Sequence, residues 1–227
     1  MINEILFIGA VIINFLFIAG AMRFGTSGLL VMMTTNIILV SMFAPKLIDV
    51  FGLVSNVGNI FYGSVFLITN LILENFGKED GVKALWLSFT GNILFVTMGQ
   101  FALRFAGETG SAAVNDALPI VFGSVPRLAL ASIVAYIIVQ YVNIWLYSYL
   151  KERFAGRKLW LRHGISISVA QFCDSVIFFA IAFAGILPLG VLIEVMSVGF
   201  LFKTVIGCAG TPIMYMGKYL KLNTYAN

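Results

Sequence analysis

Residues 162–179 read RHGISISVAQFCDSVIFF. The run is apolar enough to cross a bilayer, yet Gln171 and Asp174 stand near its middle. An α-helix makes about 3.6 residues per turn, so positions three and four apart share a face. Ser168, Gln171, Asp174 and Ser175 therefore form one polar stripe on an otherwise greasy rod. An ionisable group at that depth costs about 3 kcal/mol or more unless it faces protein or water. Such a group points first to function. The competing explanation is a helix-to-helix hydrogen bond that only locks packing.

Working outward, the 227 residues are 60% hydrophobic and 11% charged. A soluble domain carries about 25% charged residues, and no single globular core could hide this much apolar surface. Apolar runs of helical length predict an all-α, polytopic membrane protein, a compact bundle of six to seven transmembrane helices. The short alternating segments of a membrane β-barrel are absent. The net charge of +4 comes from basic residues gathered at helix ends, which speaks of orientation and not of nucleic acid. Both cysteines, Cys173 and Cys208, fall inside predicted spans, so neither a disulfide framework nor a metal cluster is expected. The lone histidine, His163, sits at a helix start beside Arg162 and reads as interfacial rather than catalytic.

Seven apolar segments run roughly over 4–22, 27–45, 57–76, 82–106, 127–150, 164–185 and 189–217. Ala19-Gly20-Ala21 resembles a signal-peptidase site, but Met1 to Glu4 carries no Lys or Arg, so the first run reads as a retained span. Residues 107–126, with several glycines, Pro119 and Pro126, read as the longest loop. Residues 151–162 are basic with two aromatics, as at a headgroup surface. The whole chain, 1–227, reads as one integral-membrane domain. With seven spans, three basic residues (Lys46, Arg104, Arg127) fall on one side and ten on the other, Lys203 lying within a span. Cytoplasmic loops carry the excess, so the N-terminus is expected outside and the C-terminus in the cytoplasm.

Other spans carry stripes too. Ser132, Tyr136, Gln140, Asn143 and Tyr147 line one face of the fifth, and Asn59, Tyr62, Asn70 and Glu74 one face of the third, with Thr69 adjacent. The fourth has Ser88, Asn92 and Gln100. Any one of these could serve ordinary packing in lipid; three stripes together suggest a polar cavity between helices. Depth reckoned at about 1.5 Å per residue puts Asp174, Gln140, Asn143 and Lys203 near one level. Asp174 and Lys203 are expected to be electrostatic partners, because unpaired charges are rarely tolerated there. Asn, Gln and Asp offer in-plane donors and acceptors that suit a flat heterocycle, and Tyr136, Tyr147, Phe172 and Trp145 offer stacking faces. From this chemistry alone the site is a polar small-molecule site.

Three strings carry a more specific likeness: GNIFYGSVFLITNLILENFGKE (58–79), RLALASIVAYIIVQYVNIWLY (127–147) and LWLRHGISISVAQFCDSVIFFAIAF (159–183), followed by Phe202-Lys203. In this order they resemble the queuosine-precursor transporter family, also called the VUT family, over about residues 55–217. The likeness implies a family core over about 27–217 with an extra N-terminal span over about 4–22. It implies an inner-membrane importer of 7-deazaguanine bases, the cyano and aminomethyl precursors or queuine itself, for salvage into tRNA modification. The family's suspected functional positions carry over to Gln171 and Asp174 (its QxxD), Arg127, Tyr136, Gln140, Lys203 and Glu74. Two positions depart: where the family usually has aspartate, this chain has Asn70 and Asn143, which keep the shape and remove the charge. Ser41, Met42 and Phe43 stand where the family has an NIQ-like string.

The resemblance implies binding by Asp174, Gln171, Gln140, Asn143, Tyr136, Asn70, Lys203, Glu74 and Arg127, with no cofactor and no metal. The partners are the deazaguanine base and the bilayer, with no nucleic acid; homo-oligomerisation is left open. No Walker motif is present, so the chain does not hydrolyse ATP itself. The alternative in the same class is the substrate-binding subunit of an energy-coupling-factor importer. A membrane enzyme needs a base or metal ligands that the one interfacial His does not supply. A channel or purely structural role would show no saturable uptake.

Overall fold

The computed structural model describes residues 1–123, 126–183, 185 and 188–220; side chains at 109, 126–129, 183 and 191 lie outside that description. The helices are α1 (Ile2–Ala21), α2 (Gly25–Phe43), α3 (Gly58–Asn75), α4 (Lys78–Ala102), α5 (Ala112–Phe122), α6 (Pro126–Arg153), α7 (Leu159–Phe183), α8 (Leu189–Ala209) and α9 (Thr211–Tyr219). A two-stranded antiparallel hairpin, β1 (Leu47–Val50) and β2 (Leu53–Asn56), separates α2 from α3. The chain is thus an all-α polytopic membrane protein. Five stretches of described helix are long and apolar enough to span: Ile2–Phe43, Lys78–Ala102, Leu130–Arg153, Leu159–Ala182 and Leu192–Tyr219.

The first stretch is two helices. A 3-10 turn, Met22–Phe24, leads into Gly25, whose φ of 59° is left-handed and suits glycine. Asn14 and Asn36 would be about 33 Å apart on a straight helix, yet Asn14 Nδ2 donates to Asn36 Oδ1 at 2.8 Å. The run therefore folds back on itself. Asn14 also donates to Ser64 Oγ on α3 at 2.9 Å, which ties the first helix to the centre of the bundle. Its other face leaves Ile5, Leu6, Ile12, Leu16 and Phe17 exposed, as a lipid-facing surface requires.

The hairpin turn is two residues long, with Phe51 at φ 56° and Gly52 at φ 74°. Two successive left-handed residues are what a type I′ turn demands. Its Phe51-Gly52 pair lacks the Asn-Gly or Asp-Gly signature that usually marks such a turn. The start of α1 rests on it: Asn3 Nδ2 donates to the Asp49 carbonyl at 2.9 Å, and Glu4 Oε1 accepts from the Phe51 N–H at 3.4 Å. This defines a hairpin end of the bundle and, opposite, a basic end. Two further expectations are corrected. The expected loop over 107–126 contains α5, which turns back along the bundle and accepts a hydrogen bond from Gln100 at the Phe122 carbonyl. The expected single span over 189–217 is α8 and α9, divided at Gly210 with Pro212 in the first turn of α9.

Helix α3 is the axis. From Gly58 to Leu73 every residue but Phe61 is buried, and α1, α2, α4, α6, α7, α8 and α9 all touch it. It is not among the five apolar stretches, and it need not be, since its side chains meet protein rather than lipid. It meets α8 backbone to backbone. A Cβ added at Gly63 would lie 2.9 Å from the Lys203 carbonyl oxygen and 3.0 Å from Ile206 Cβ. A Cβ at Gly207 would lie 2.9 Å from Ile167 of α7. Small residues let membrane helices approach this closely. Replacing Gly63 with Val is expected to lower stability by about 1–3 kcal/mol through overpacking. Gly9→Ala, which meets nothing within 4 Å, serves as the neutral control. Thermal unfolding of the purified variants in detergent checks both.

Candidate functional site

The polar face of α7 lies against α3, α6 and α8 in layers. Nearest the hairpin end, Asp174 is buried with both carboxylate oxygens engaged. Oδ1 accepts from the Tyr62 hydroxyl of α3 at 2.6 Å, and Oδ2 pairs with Lys203 Nζ of α8 at 2.7 Å. The same ammonium lies over the Tyr62 ring, 4.7 Å from its centroid. The expected partnership of Asp174 and Lys203 is present. Its close geometry and extra hydrogen bond are what a buried ion pair needs to offset desolvation.

The second layer is built from amides. Asn143 Nδ2 of α6 donates to Asn70 Oδ1 of α3 at 3.0 Å. Asn70 Nδ2 donates to Ser166 Oγ at 3.1 Å and to His163 Nδ1 at 3.0 Å, both on α7. His163 Nε2 lies 3.1 Å from the Gly207 carbonyl. A carbonyl accepts and an amide nitrogen donates, so the imidazole is neutral with its proton on Nε2. His163 is fully buried, not interfacial as its neighbours suggested. Its place in the helical stripe, three and eight residues before Ser166 and Gln171, was the signal available.

Gln140 and Gln171 fall between these layers. Ser166 and Asn143 share the Asn70 level. Gln171 lies five residues from Ser166 and Gln140 three from Asn143, each toward the hairpin end. At about 1.5 Å per residue these steps are about 7.5 and 4.5 Å, so the two glutamines stand about one hydrogen-bond length apart in height. Gln140 Oε1 accepts from Thr69 at 3.2 Å, but its Nε2 has no partner. Both amide atoms of Gln171 lack partners, as do Asn143 Oδ1, Ser175 Oγ and Thr204 Oγ1. All are buried atoms. Buried polar groups are nearly always hydrogen-bonded, so each of these orphans calls for a water or a ligand group beside it.

Other predicted residues lie elsewhere. Glu74 belongs to the basic end. Arg162, fully buried, grips it with both guanidinium nitrogens at 2.7 and 3.1 Å, Tyr147 donates to it at 3.0 Å, and Lys151 and Lys218 stand 3.8 Å away. Arg162 also donates to the Arg157 and Gly156 carbonyls, which anchors the turn before α7. Arg162 was expected at a headgroup surface; it is an interior clamp instead. Tyr136 is buried against Ser88 of α4 at 3.0 Å. Trp145 and Phe172 are more than half exposed and face away from the interior, so they offer it no stacking surface. Asn59 bonds Ser55 of the hairpin, and Asn92 accepts from Ser41 of α2. The side chain of Arg127 lies outside the described residues. A separate groove of about 710 Å³ opens between α1 and α2, lined by Leu16, Phe17, Gly20, Arg23, Val31 and Met32 among others, away from these layers.

A helical membrane bundle with a charge-balanced, amide-lined interior and a central polar helix has the build of a carrier for a small polar solute. A family model described as "Putative vitamin uptake transporter" matches residues 56–217. A protein of Bacillus subtilis (strain 168) named "Probable queuosine precursor transporter" is 33% identical over 221 residues, 96% of each chain. No solved structure matches. The chain belongs to this family of multi-pass membrane transporters, and it is a transporter rather than an enzyme.

The ion pair gives a direct test. Asp174→Asn leaves the Lys203 ammonium buried without its counter-charge, an expected loss of about 3–5 kcal/mol. The double variant Asp174→Asn, Lys203→Met removes both charges and is expected to recover most of that loss. Unfolding midpoints of the two purified variants against wild type measure the difference.

Proposed function

We propose that this chain imports queuosine precursors, bases of the 7-deazaguanine class, for salvage into tRNA. The observation that carries the reading is the set of buried, unpartnered amide atoms on Gln140 and Asn143 of α6 and on Gln171 of α7. A 7-deazaguanine ring presents an amino-pyrimidinone edge with N–H donors and a carbonyl acceptor in one plane. Side-chain amides supply the matching acceptors and donors. The name of the Bacillus subtilis relative supports the same substrate class.

In this reading Gln140, Asn143 and Gln171 bind the base, and Asn70 holds Asn143 in position through its hydrogen bond. Tyr62 and the Asp174–Lys203 pair form the wall toward the hairpin end. Tyr136 and Glu74 are positioning residues, through Ser88 and through the Arg162 clamp. Carriers that work by alternating access bind near the midplane, and the two glutamines are mid-helix on α6 and α7. The protein lies in the inner membrane with its N-terminus outside and its C-terminus in the cytoplasm. What supports that orientation is the crowd of Lys151, Arg153, Arg157, Lys158 and Lys218 at the basic end.

In cells unable to make queuosine, fed one precursor, Gln171→Ala is expected to lower tRNA queuosine by about tenfold or more, as loss of paired polar contacts in a binding site does. Ser197→Ala, at an exposed position of α8, is expected to leave it unchanged. Full tRNA queuosine with both Gln171→Ala and Gln140→Ala, at normal protein levels, would overturn the reading.

A further inference from the structure

The groove between α1 and α2 lies on the outside of the bundle, apart from the polar layers. Leu16, Phe17 and Val31 line it and are each about two-thirds exposed. Glycines form its floor. A Cβ added at Gly28 would overlap the Ala21 carbonyl oxygen, so α2 leaves the turn packed directly on the end of α1. A Cβ at Gly20 would meet nothing within 4 Å, so the space over it is open. The upper end of the groove is the turn between the two helices, and that turn belongs to the basic end. A Cβ at Gly217 would lie 3.2 Å from Met22 Sδ, and the next residue, Lys218, stands 3.8 Å from Glu74. The lowest lining residues, Leu16 and Met32, stand about 10 Å below the turn at 1.5 Å per residue. Among the described residues that line the groove, Arg23 alone is charged, and it sits in the turn. Arg23 is exposed, and among the described residues its guanidinium has no hydrogen bond or ion pair. The other cations nearby differ, since Lys151, Arg162 and Lys218 are drawn to Glu74.

We propose that this groove is a binding site for an anionic phospholipid, with one acyl chain between α1 and α2 and the lipid phosphate on Arg23. The parts stand in the order that such a lipid requires: a cation at the membrane surface and an apolar channel directly beneath it. Water gains nothing in an apolar groove that offers it no partners, whereas hydrocarbon fills it at no polar cost. A guanidinium presents a planar fork of donors that matches phosphate oxygens in pairs. Ser27, one turn beyond Arg23 and also lining the groove, adds a hydroxyl at the level of the glycerol esters. A zwitterionic lipid carries the same phosphate, but its ammonium cancels the charge that Arg23 attracts. The pairing therefore selects a net negative headgroup, and a basic residue at a membrane surface favours such a lipid about fivefold. Precursor import involves other residues and stands or falls separately.

The test is native mass spectrometry of the purified full chain, offered equal amounts of a phosphatidylglycerol and a phosphatidylcholine with the same acyl chains. The wild type is expected to retain phosphatidylglycerol about fivefold over phosphatidylcholine. Arg23→Gln is expected to bring the ratio close to one. Arg153→Gln, an exposed cation at the end of α6, is expected to keep it. Gly20→Phe fills the groove from its floor and is expected to lower the retained phosphatidylglycerol. Gly9→Phe, with the same open space on the same helix but outside the groove, is expected to leave it unchanged. Equal retention of the two lipids by the wild type would overturn the proposal. An equal fall of the ratio in Arg153→Gln and Arg23→Gln would overturn it too, since the attraction would then belong to the whole basic end. A wild-type dimer that Gly20→Phe splits would also overturn it, because a second copy of the chain would then be what covers the groove.

Discussion

A carboxylate in the middle of an apolar bundle must be neutralised where it stands. Asp174 meets that constraint with partners from two other helices, the Lys203 ammonium of α8 and the Tyr62 hydroxyl of α3. Three helices are thereby fixed in height relative to one another. The close contacts at Gly63 and Gly207 follow from the same need, because a side chain at either place would push α8 away from α3 or α7. Packing and electrostatics thus enforce a single register. That register is what brings Gln140 of α6 and Gln171 of α7 to nearly the same height.

The interior holds groups that are satisfied and groups that are not. The ion pair, the Asn70 amide and the Glu74 clamp all have their partners inside the protein. They hold the bundle together. The unpartnered atoms lie on side chains next to those fixed points, so their positions are set by neighbours that do not need them. A binding site gains from such an arrangement, since groups already held in place lose little freedom when a ligand arrives.

Much of this was readable in the chain. Helical periodicity exposed the stripe of Gln171, Asp174 and Ser175, and the cost of a lone charge in lipid dictated Lys203 as the partner of Asp174. What failed has identifiable causes. His163 and Arg162 follow a basic loop, and loop composition masked that they begin the two four-residue rows of the buried face, His163, Ile167, Gln171 and Arg162, Ser166, Ala170, Asp174. Trp145 and Phe172 were grouped by chemistry instead of by angle. Trp145 is two residues from Asn143 and Phe172 is next to Gln171, about 200° and 100° around the helix, which turns both outward. Glu74 shares a stripe with Asn70 but stands one turn nearer the helix end, within reach of the basic cluster. The hairpin and α5 are short, and their glycines and prolines read equally well as loop.

The composition of α3 has a consequence for biogenesis. A segment partitions into the bilayer on its own only when its apolar side chains outweigh its polar ones. Helix α3 carries Asn59, Tyr62, Ser64, Asn70, Glu74 and Asn75 within 18 residues, and it falls outside the stretches apolar enough to span. Its polar side chains find their partners on the other helices. Its stable residence in the membrane is therefore a cooperative property of the assembled chain. The helices that close around it, α6, α7 and α8, all follow it in the chain.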